Sequence, residues 1–575
     1  MSEHLKETPS YQLTGFRRGV VWLVLLCACG FLIGRLVYLQ ILEPEFLVAE
    51  GNERVLRSYS FEPARGMITD RQGKILAISV PVKAVYADPA RMHEGKVLHD
   101  ASLIRQIAAL VDLSPQELFE RIQNPKRRYV KLNAYVPLDK AQQLKDLGIP
   151  GLYINDNYKR YYPNGAVNAS LIGLLNSAGQ GVYGVEQSFN SYLSAQASTR
   201  AAHKDSQGHV IENLGVLEQG KAGGNLMLSI DDRLQTISYG ALTAAVEKFG
   251  AESGCLVLLD VRSGEILSMV TAPSFDPNHR ETFDSSKARN RAITDVLEPG
   301  STVKPLVSLA ALENQFTNWQ EVFDTRPFKV NGKLVRDSHA MNQGTLADIL
   351  KYSSNTGMAH LALRMGPQPI LDVFARFGFG QRTGSGLVGE VSGQLNAARP
   401  FWSEIDKATL GFGYGITVTP LQLASAYATL ANFGRRVPVS ILKQHQLPQA
   451  RGCASPAEIK RIQAVLETVV SGGGTGSKAA IDRYRIAGKT GTAMLAGKGG
   501  YMRRYMSTFA GFAPLSNPRF ALVVTIRDPT KVSYYGGAVS GPVFKDVMTR
   551  ALQLYNVPPD KEEPEVQMAK VSGQP

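Results

Sequence analysis

Three short segments hold residues whose types and spacing can do chemistry: Ser301-Thr302-Val303-Lys304, Ser353-Ser354-Asn355 and Lys489-Thr490-Gly491-Thr492. In the first, a hydroxyl and an amine sit three positions apart, on one helical face. A serine hydroxyl is a poor nucleophile until a base takes its proton. Lysine serves as that base only where burial or a neighbouring cation lowers its pKa, and Lys489 is the neighbouring cation on offer. Ser353 is then expected to relay a proton between the lysines and a leaving amine. Asn355 would hold a substrate amide and orient Lys304. Lys489, with the hydroxyls of Thr490 and Thr492, suits a terminal carboxylate. The N–H groups of Ser301 and Thr492 suit an oxyanion hole. Gly491 would let an extended substrate backbone approach as an added strand. As a set this is acyl transfer through a serine ester, with Ser301, Lys304, Ser353, Asn355, Lys489 and Thr492 catalytic.

Each motif alone is weak. Ser440-Ile441-Leu442-Lys443 repeats the first spacing and Ser188-Phe189-Asn190 repeats the second; both read as structural. Gly488-Lys489-Thr490 matches the end of a phosphate loop, but Arg483 stands where that motif needs glycine. Gly472-Gly473-Gly474-Thr475-Gly476 lacks the required ending and reads as a flexible loop. The signal is specific only because three motifs occur in one order within one domain.

Several elements must position them. Glu298-Pro299-Gly300 should break the preceding segment, so that Ser301 opens a helix carrying Leu306, Leu309 and Leu312, with Pro305 tolerated in its first turn. Leu346–Tyr352 reads as a helix ending at the second motif, and Tyr484–Ile486 leads into the third as an edge strand. Asp231 or Asp232 can cap a helix with Leu234, Ile237, Ala241, Leu242, Ala245 and Val246 on its apolar face. Cys255–Leu259 with Glu265–Val270, and Thr508–Phe512 with Phe520–Ile526, read as hairpins. Val543, Phe544, Val547, Met548 and Leu552 predict a closing helix. Hairpins and helices at both ends of a helical middle predict an α+β domain, helices packed on an antiparallel sheet.

The chain has 575 residues, too many for one core. Gly220-Lys221-Ala222-Gly223-Gly224 marks a junction. Upstream, the mix of short strands and helices predicts a mixed α/β module without a catalytic cluster. There Ser114 and Glu117 form a capping box with Pro115 at the first helical position. Asn225–Ile230 reads as a strand. Gly19–Leu42 is apolar except for Arg35 and Gln40, long enough to span a bilayer, and no small-residue cleavage site follows it. Arg17 and Arg18 precede the span, which puts residues 1–18 in the cytoplasm. Arg35 either snorkels to the interface or marks a contact with another membrane protein. The expected organisation is a tail (1–18), a transmembrane helix (19–42), a non-catalytic module (43–222), a catalytic domain (223–557) and a polar, flexible tail (558–575). The net charge of +13 is scattered, which argues for solvated loops and an anionic wall or membrane face rather than nucleic acid. Four cysteines form neither a disulfide framework nor a metal site, and the chemistry needs no cofactor.

These residues resemble the penicillin-binding proteins, and the likeness covers nearly the whole chain. Arg65–Gly73, Arg160-Tyr161-Tyr162-Pro163 and Gly181–Glu186 resemble the non-catalytic (dimerisation or docking) module of the class B group. Ile293–Pro305, Gly411-Phe412-Gly413-Tyr414-Gly415 and Tyr534-Tyr535-Gly536-Gly537 look most like the septal, FtsI-type enzymes. The resemblance implies a serine β-lactamase-like fold with an all-helical lobe. It adds Tyr535 and Gly536 to the substrate-binding residues Thr490, Gly491 and Thr492. It implies D,D-transpeptidation of D-Ala-D-Ala stem peptides, acylation by β-lactams, an inner-membrane anchor, a periplasmic catalytic domain, and partners including a septal SEDS-type glycan polymerase. Asp337-Ser338-His339-Ala340-Met341-Asn342 departs from the main septal pattern, which suits a specialised paralogue. The rival readings are a carboxypeptidase or β-lactamase with water as acceptor, a membrane β-lactam receptor, and a non-catalytic division scaffold.

Overall fold

The computed structural model describes residues 14–42, 56–61, 63–204, 210–497 and 499–561. Most of both predicted tails lies outside them. The backbone divides into two compact units, residues 1–63 with 195–222 and residues 64–194 with 223–575. The stretch read as one module, 43–222, therefore contributes to both.

In the first unit an α-helix spans Gly15–Val37 and continues as a π-helical turn, Tyr38–Leu42. It starts before the expected Gly19, so Arg17 and Arg18 sit in its first turn. Twenty-three residues rise about 35 Å, enough for a hydrocarbon core. The Arg35 guanidinium lies 5.1 Å from the Tyr38 ring centroid. Strands Leu56–Phe61, Ser198–Lys204 and Val210–Glu218 pair antiparallel in that order.

In the second unit, Ile75–Ala87 is a long strand paired with Ile68–Thr69, Val130–Val136 and Leu152–Tyr161. Ile68–Thr69 also pairs, in parallel, with Leu226–Met227. The strand expected over Asn225–Ile230 is only those two residues. Beyond them Leu228 bridges to Leu442 and Ser229 donates to the Ile441 carbonyl, so the chain leaves the sheet for another partner. The Ser114–Glu117 capping box starts helix Pro115–Ile122, with Leu118 and Ile122 buried.

The three amino-terminal motifs meet in one buried ion cluster. Glu186 is fully buried and accepts from Arg65 Nε and Arg160 Nε, both at 2.7 Å. Arg65 continues to Asn190 Oδ1 and Ser194 Oγ, each at 2.9 Å. This gives the Ser188–Asn190 repeat a structural role. Removing one member of a buried ionic cluster leaves uncompensated charge and costs about 3–5 kcal/mol. Glu186→Ala is expected to lower the thermal melting temperature by several degrees, whereas truncating an exposed charge such as Glu120 should not, as scanning calorimetry would read.

The rest of this unit is built on a five-stranded antiparallel sheet ordered Ile266–Ala272, Ser253–Asp260, Phe520–Arg527, Gly500–Ala513, Ala487–Gly497. Side chains alternate between its faces. Leu256, Leu258, Leu522 and Val524 pack with helices Asp232–Lys248 and Gly536–Leu554. Val257, Leu259, Ala521 and Val523 face the helical lobe. Helix Pro420–Ala431 crosses that core, with eleven of its twelve residues buried. A helix that is largely apolar all round belongs inside. Asp231 caps the first helix, accepting from Arg233 N. Burial pushes the Cys255 thiol above its ordinary pKa. The second Ser-x-x-Lys is structural: Ser440 Oγ donates to the Leu442 carbonyl and Lys443 Nζ to the Arg71 carbonyl.

Candidate active site

Ser301 lies on a single 3₁₀ turn, Gly300–Val303, and the α-helix begins only at Lys304 and runs to Glu313. The expected helix from Ser301 therefore starts three residues late. Proline supplies the reason: Pro305 has no N–H to give to the Ser301 carbonyl, so the Lys304 N–H takes it in an i→i−3 bond. Thr302 N–H and Oγ1 both donate to the Pro299 carbonyl, at 3.3 and 2.7 Å. Gly300, at φ +53°, donates to the Gly413 carbonyl. A Cβ on Gly413 would lie 2.2 Å from the Gly300 carbonyl oxygen, so only glycine permits that seat. The buried Tyr427 hydroxyl donates to the Thr302 carbonyl at 2.8 Å.

The second motif is a tight junction between two helices. Leu346–Tyr352 ends at Ser353, which caps it in the left-handed region at φ +61°. Ser354 caps the next helix, Asn355–Met365, by accepting from Gly357 N. Lys304 is fully buried and spends its donors here: Nζ reaches the Ser353 carbonyl at 2.6 Å, Ser353 Oγ at 3.2 Å and Asn355 Oδ1 at 2.9 Å. Among the described residues no hydrogen bond joins Ser301 Oγ to this amine. The sequence argument put the two on one face but did not foresee that the amine would be fully engaged.

One carboxylate, Asp337, organises this junction. Its Oδ1 accepts from Asn355 N at 2.5 Å and Thr356 N at 2.9 Å, while Oδ2 accepts from Ser354 Oγ at 2.6 Å and Thr356 Oγ1 at 2.9 Å. The sequence reading noticed Asp337 only as part of a departure from pattern. An acid just upstream of a helix start that carries Ser, Asn and Thr was the available signal.

Ala487–Gly497 is the last strand of the sheet, and it carries the third motif along the nucleophile turn. Gly491 also has a packing role that the sequence did not show. A Cβ there would meet the Thr302 methyl at 2.9 Å and the Pro299 carbonyl at 3.2 Å, so glycine lets strand and turn pack together. Thr490 Oγ1 lies 2.9 Å from Thr475 Oγ1, which gives the glycine-rich loop a fixed role. Thr492 Oγ1 accepts from Gly536 N at 3.0 Å, the first residue of helix Gly536–Leu554. Gly536 is buried where a Cβ would press on the Gly491 and Thr508 carbonyls. Tyr535 is half exposed and stacks on Tyr534, ring centroids 4.5 Å apart, which stacks on Tyr505 at 4.2 Å.

Two further residues carried no legible signal. Glu298 Oε1 accepts from Gly415 N and the Tyr501 hydroxyl, each at 2.9 Å, tying the turn to the Gly411–Gly415 segment and to the long hairpin. Tyr427 is hidden in a largely apolar helix.

Burial drives the electrostatics. It pushes the Lys489 ammonium down to about 7. Burial first, and the Lys489 charge second, hold Lys304 well below the ordinary lysine range, while the Asp337 carboxylate pulls it back up. The arrangement can therefore hold a neutral amine near a serine at moderate pH.

The chain matches two family models, the penicillin-binding protein dimerisation domain over residues 60–228 and the penicillin-binding protein transpeptidase domain over residues 254–549. It is 44% identical over 543 residues to the peptidoglycan D,D-transpeptidase FtsI of Escherichia coli, covering 93% of this chain and 92% of that protein. It is 39% identical to a probable peptidoglycan D,D-transpeptidase PbpC of Pseudomonas aeruginosa, covering 92% and 93%. Among solved structures, a peptidoglycan synthetase from Bifidobacterium adolescentis has the same fold, with a TM-score of 0.70 at 24% identity over 89% of this chain and 98% of that one. Three motifs gathered around one buried lysine, on this fold and with these relatives, place the chain in the class B penicillin-binding proteins, a dimerisation domain followed by a transpeptidase domain.

Proposed function

We propose that this chain is a peptidoglycan D,D-transpeptidase that cross-links stem peptides at the division septum. The observation that carries the reading is the buried Lys304 amine, held by Ser353 and Asn355 beside the Ser301 turn and depressed by burial and by Lys489. In the reaction, Ser301 Oγ attacks the penultimate D-Ala carbonyl and gives its proton to neutral Lys304. The Ser301 and Thr492 N–H groups steady the oxyanion. The C–N bond breaks, and the leaving D-Ala nitrogen takes a proton by way of Ser353. An amine of a second stem attacks the ester, the new amide forms, and Ser301 recovers its proton. Lys489, Thr490 and Thr492 bind the terminal carboxylate, while Gly491, Tyr535 and Gly536 line the strand-like donor. β-Lactams enter the same path and stop at the ester.

The septal assignment rests on the FtsI relatives, and with it come a SEDS-type glycan polymerase and other division proteins as partners. Arg17 and Arg18 ahead of the apolar helix favour a cytoplasmic amino terminus and a periplasmic catalytic domain in the inner membrane. The boundaries 43–222 and 223–557 are retained for the non-catalytic and catalytic parts. The segment Asp337–Asn342 favours a specialised paralogue with unchanged chemistry. In a test with a D-Ala-ended thioester donor and an amine acceptor, mass spectrometry is expected to find the donor–acceptor amide. Hydrolysed donor alone would favour the carboxypeptidase reading, and rapid turnover of penicillin the lactamase one.

A further inference from the structure

Strands Phe328–Val330 and Lys333–Val335 form a hairpin through Asn331-Gly332, both at positive φ, as a two-residue hairpin turn requires. One face is fixed. Val330 and Val335 are buried, and Phe328 stacks on His360 with ring centroids 4.0 Å apart. His360 belongs to the helix that begins at Asn355. Asn331 Oδ1 also accepts from Ile405 N at 3.0 Å. The hairpin then runs straight into the site: the Arg336 carbonyl accepts from Asn355 Nδ2 at 3.3 Å, and the next residue is Asp337.

The other face is basic and unpaired. It carries Lys329, Leu334 and Arg336: Leu334 is 55% exposed, both cations are exposed, and neither has an ion-pair partner among the described residues, while exposed Lys333 pairs with Val330 on the first face. The nearby acids are already engaged: Asp324 with Arg326, Glu404 with Lys407 and Asp406 with Arg399. Two cations on one face of a rigid platform beside Asn355 create a positive field, and the adjacent Asp337 carboxylate is turned inward to the Asn355 and Thr356 N–H groups and the Ser354 and Thr356 hydroxyls. A stem peptide ending in D-Ala-D-Ala is acidic, with carboxylates along its length besides the terminal one. Lys489 and the threonines are engaged with the terminal group, which leaves the internal carboxylates without a cation in the pocket.

We propose that Lys329 and Arg336 form a subsite for the internal carboxylates of a stem peptide engaged at Ser301. The inference rests on the transpeptidase reading and adds to it a preference for stems whose internal carboxylates are free. The terminal carboxylate fixes position, and the hairpin rewards charge further along the chain.

The test uses the full-length protein in detergent with synthetic donor and acceptor stems, each made with free or amidated internal carboxylates. The wild type is expected to prefer the free forms by about fivefold to tenfold in kcat/KM at low salt, carried by KM, and to lose the preference near 0.5 M salt. In Lys329→Gln/Arg336→Gln the preference should fall to about one. Whether amidating donor or acceptor abolishes it identifies the stem that occupies the ridge. Equal losses on free and amidated stems would mean a merely structural role and overturn the proposal, as would a wild type indifferent to amidation. Benzylpenicillin labelling of the wild type checks the underlying reading separately: labelling without charge preference removes only the subsite, and no labelling removes the transpeptidase assignment itself.

Discussion

Ser301→Ala gains no mass on incubation with benzylpenicillin, while the wild type gains one drug equivalent. The expected effect is complete, because the ester oxygen is the one being removed. The site offers no substitute. Ser353 holds a strained left-handed cap with its hydroxyl against Lys304, and Ser354 is committed to Asp337 and Gly357 N. Thr490 faces Thr475, and Thr492 accepts from Gly536. The variant should keep its fold, since the Ser301 side chain makes none of the bonds that seat its turn; the Thr302 and Tyr427 hydroxyls and the Gly413 carbonyl make them. Intact-protein mass together with a melting curve decides it. An adduct on a folded Ser301→Ala protein would show that another nucleophile does the chemistry.

The second large effect belongs to a residue that touches no reacting atom. Asp337→Ala should slow acylation by about a hundredfold or more. It orphans the Asn355 and Thr356 N–H groups, each buried donor costing about 1–3 kcal/mol, and takes one acceptor from the Ser354 and Thr356 hydroxyls. The Ser353–Asn355 junction would lose the geometry on which a positioned amine depends. Asp337→Asn separates geometry from charge, since its carbonyl can still accept from both backbone groups. In the native protein the Asp337 charge favours the Lys304 ammonium and so raises its pKa. Neutral Lys304 is the form that accepts the serine proton, so the rate rises with pH as Lys304 deprotonates. Removing the charge lowers that pKa further, and the acidic limb of the acylation profile moves to lower pH. The descending limb belongs to loss of the Lys489 cation, from about 7 in the empty site and higher once a carboxylate is bound. Second-order acylation constants measured against pH for wild type and Asp337→Asn would decide the matter. An acidic limb that stays put or moves upward would sink the role assigned to Asp337.

Which parts of this were legible follows from the range of each signal. The helix from Asp232, the two hairpins and the capping box at Ser114 are written in neighbouring residues, and they appear nearly where periodicity and caps put them. The strand Asn225–Ile230 shrank to two residues because its partner is a loop near Ile441, more than two hundred positions away. The 3₁₀ turn at Ser301 was hidden although Pro305 was in view, since the missing N–H acts one turn earlier. The packing of Gly491 against Thr302, a neighbour from another element, had no local signal. Asp337, Glu298 and Tyr427 were missed because their partners come from separate parts of the chain. Chemistry tied to residue type was readable. Chemistry set by who stands opposite was not.

The strand order of the catalytic sheet also has a consequence during biosynthesis. Ser301 emerges early, but the strand bearing Lys489 joins the first hairpin only through Gly500–Ala513 and Phe520–Arg527, and Thr492 meets its partner only when Gly536 arrives. A nascent chain that already contains the reactive serine therefore has no cleft around it. Competence for acylation arrives late, with the final helix, so a truncated translation product would be as blind to antibiotic as it is useless to the wall.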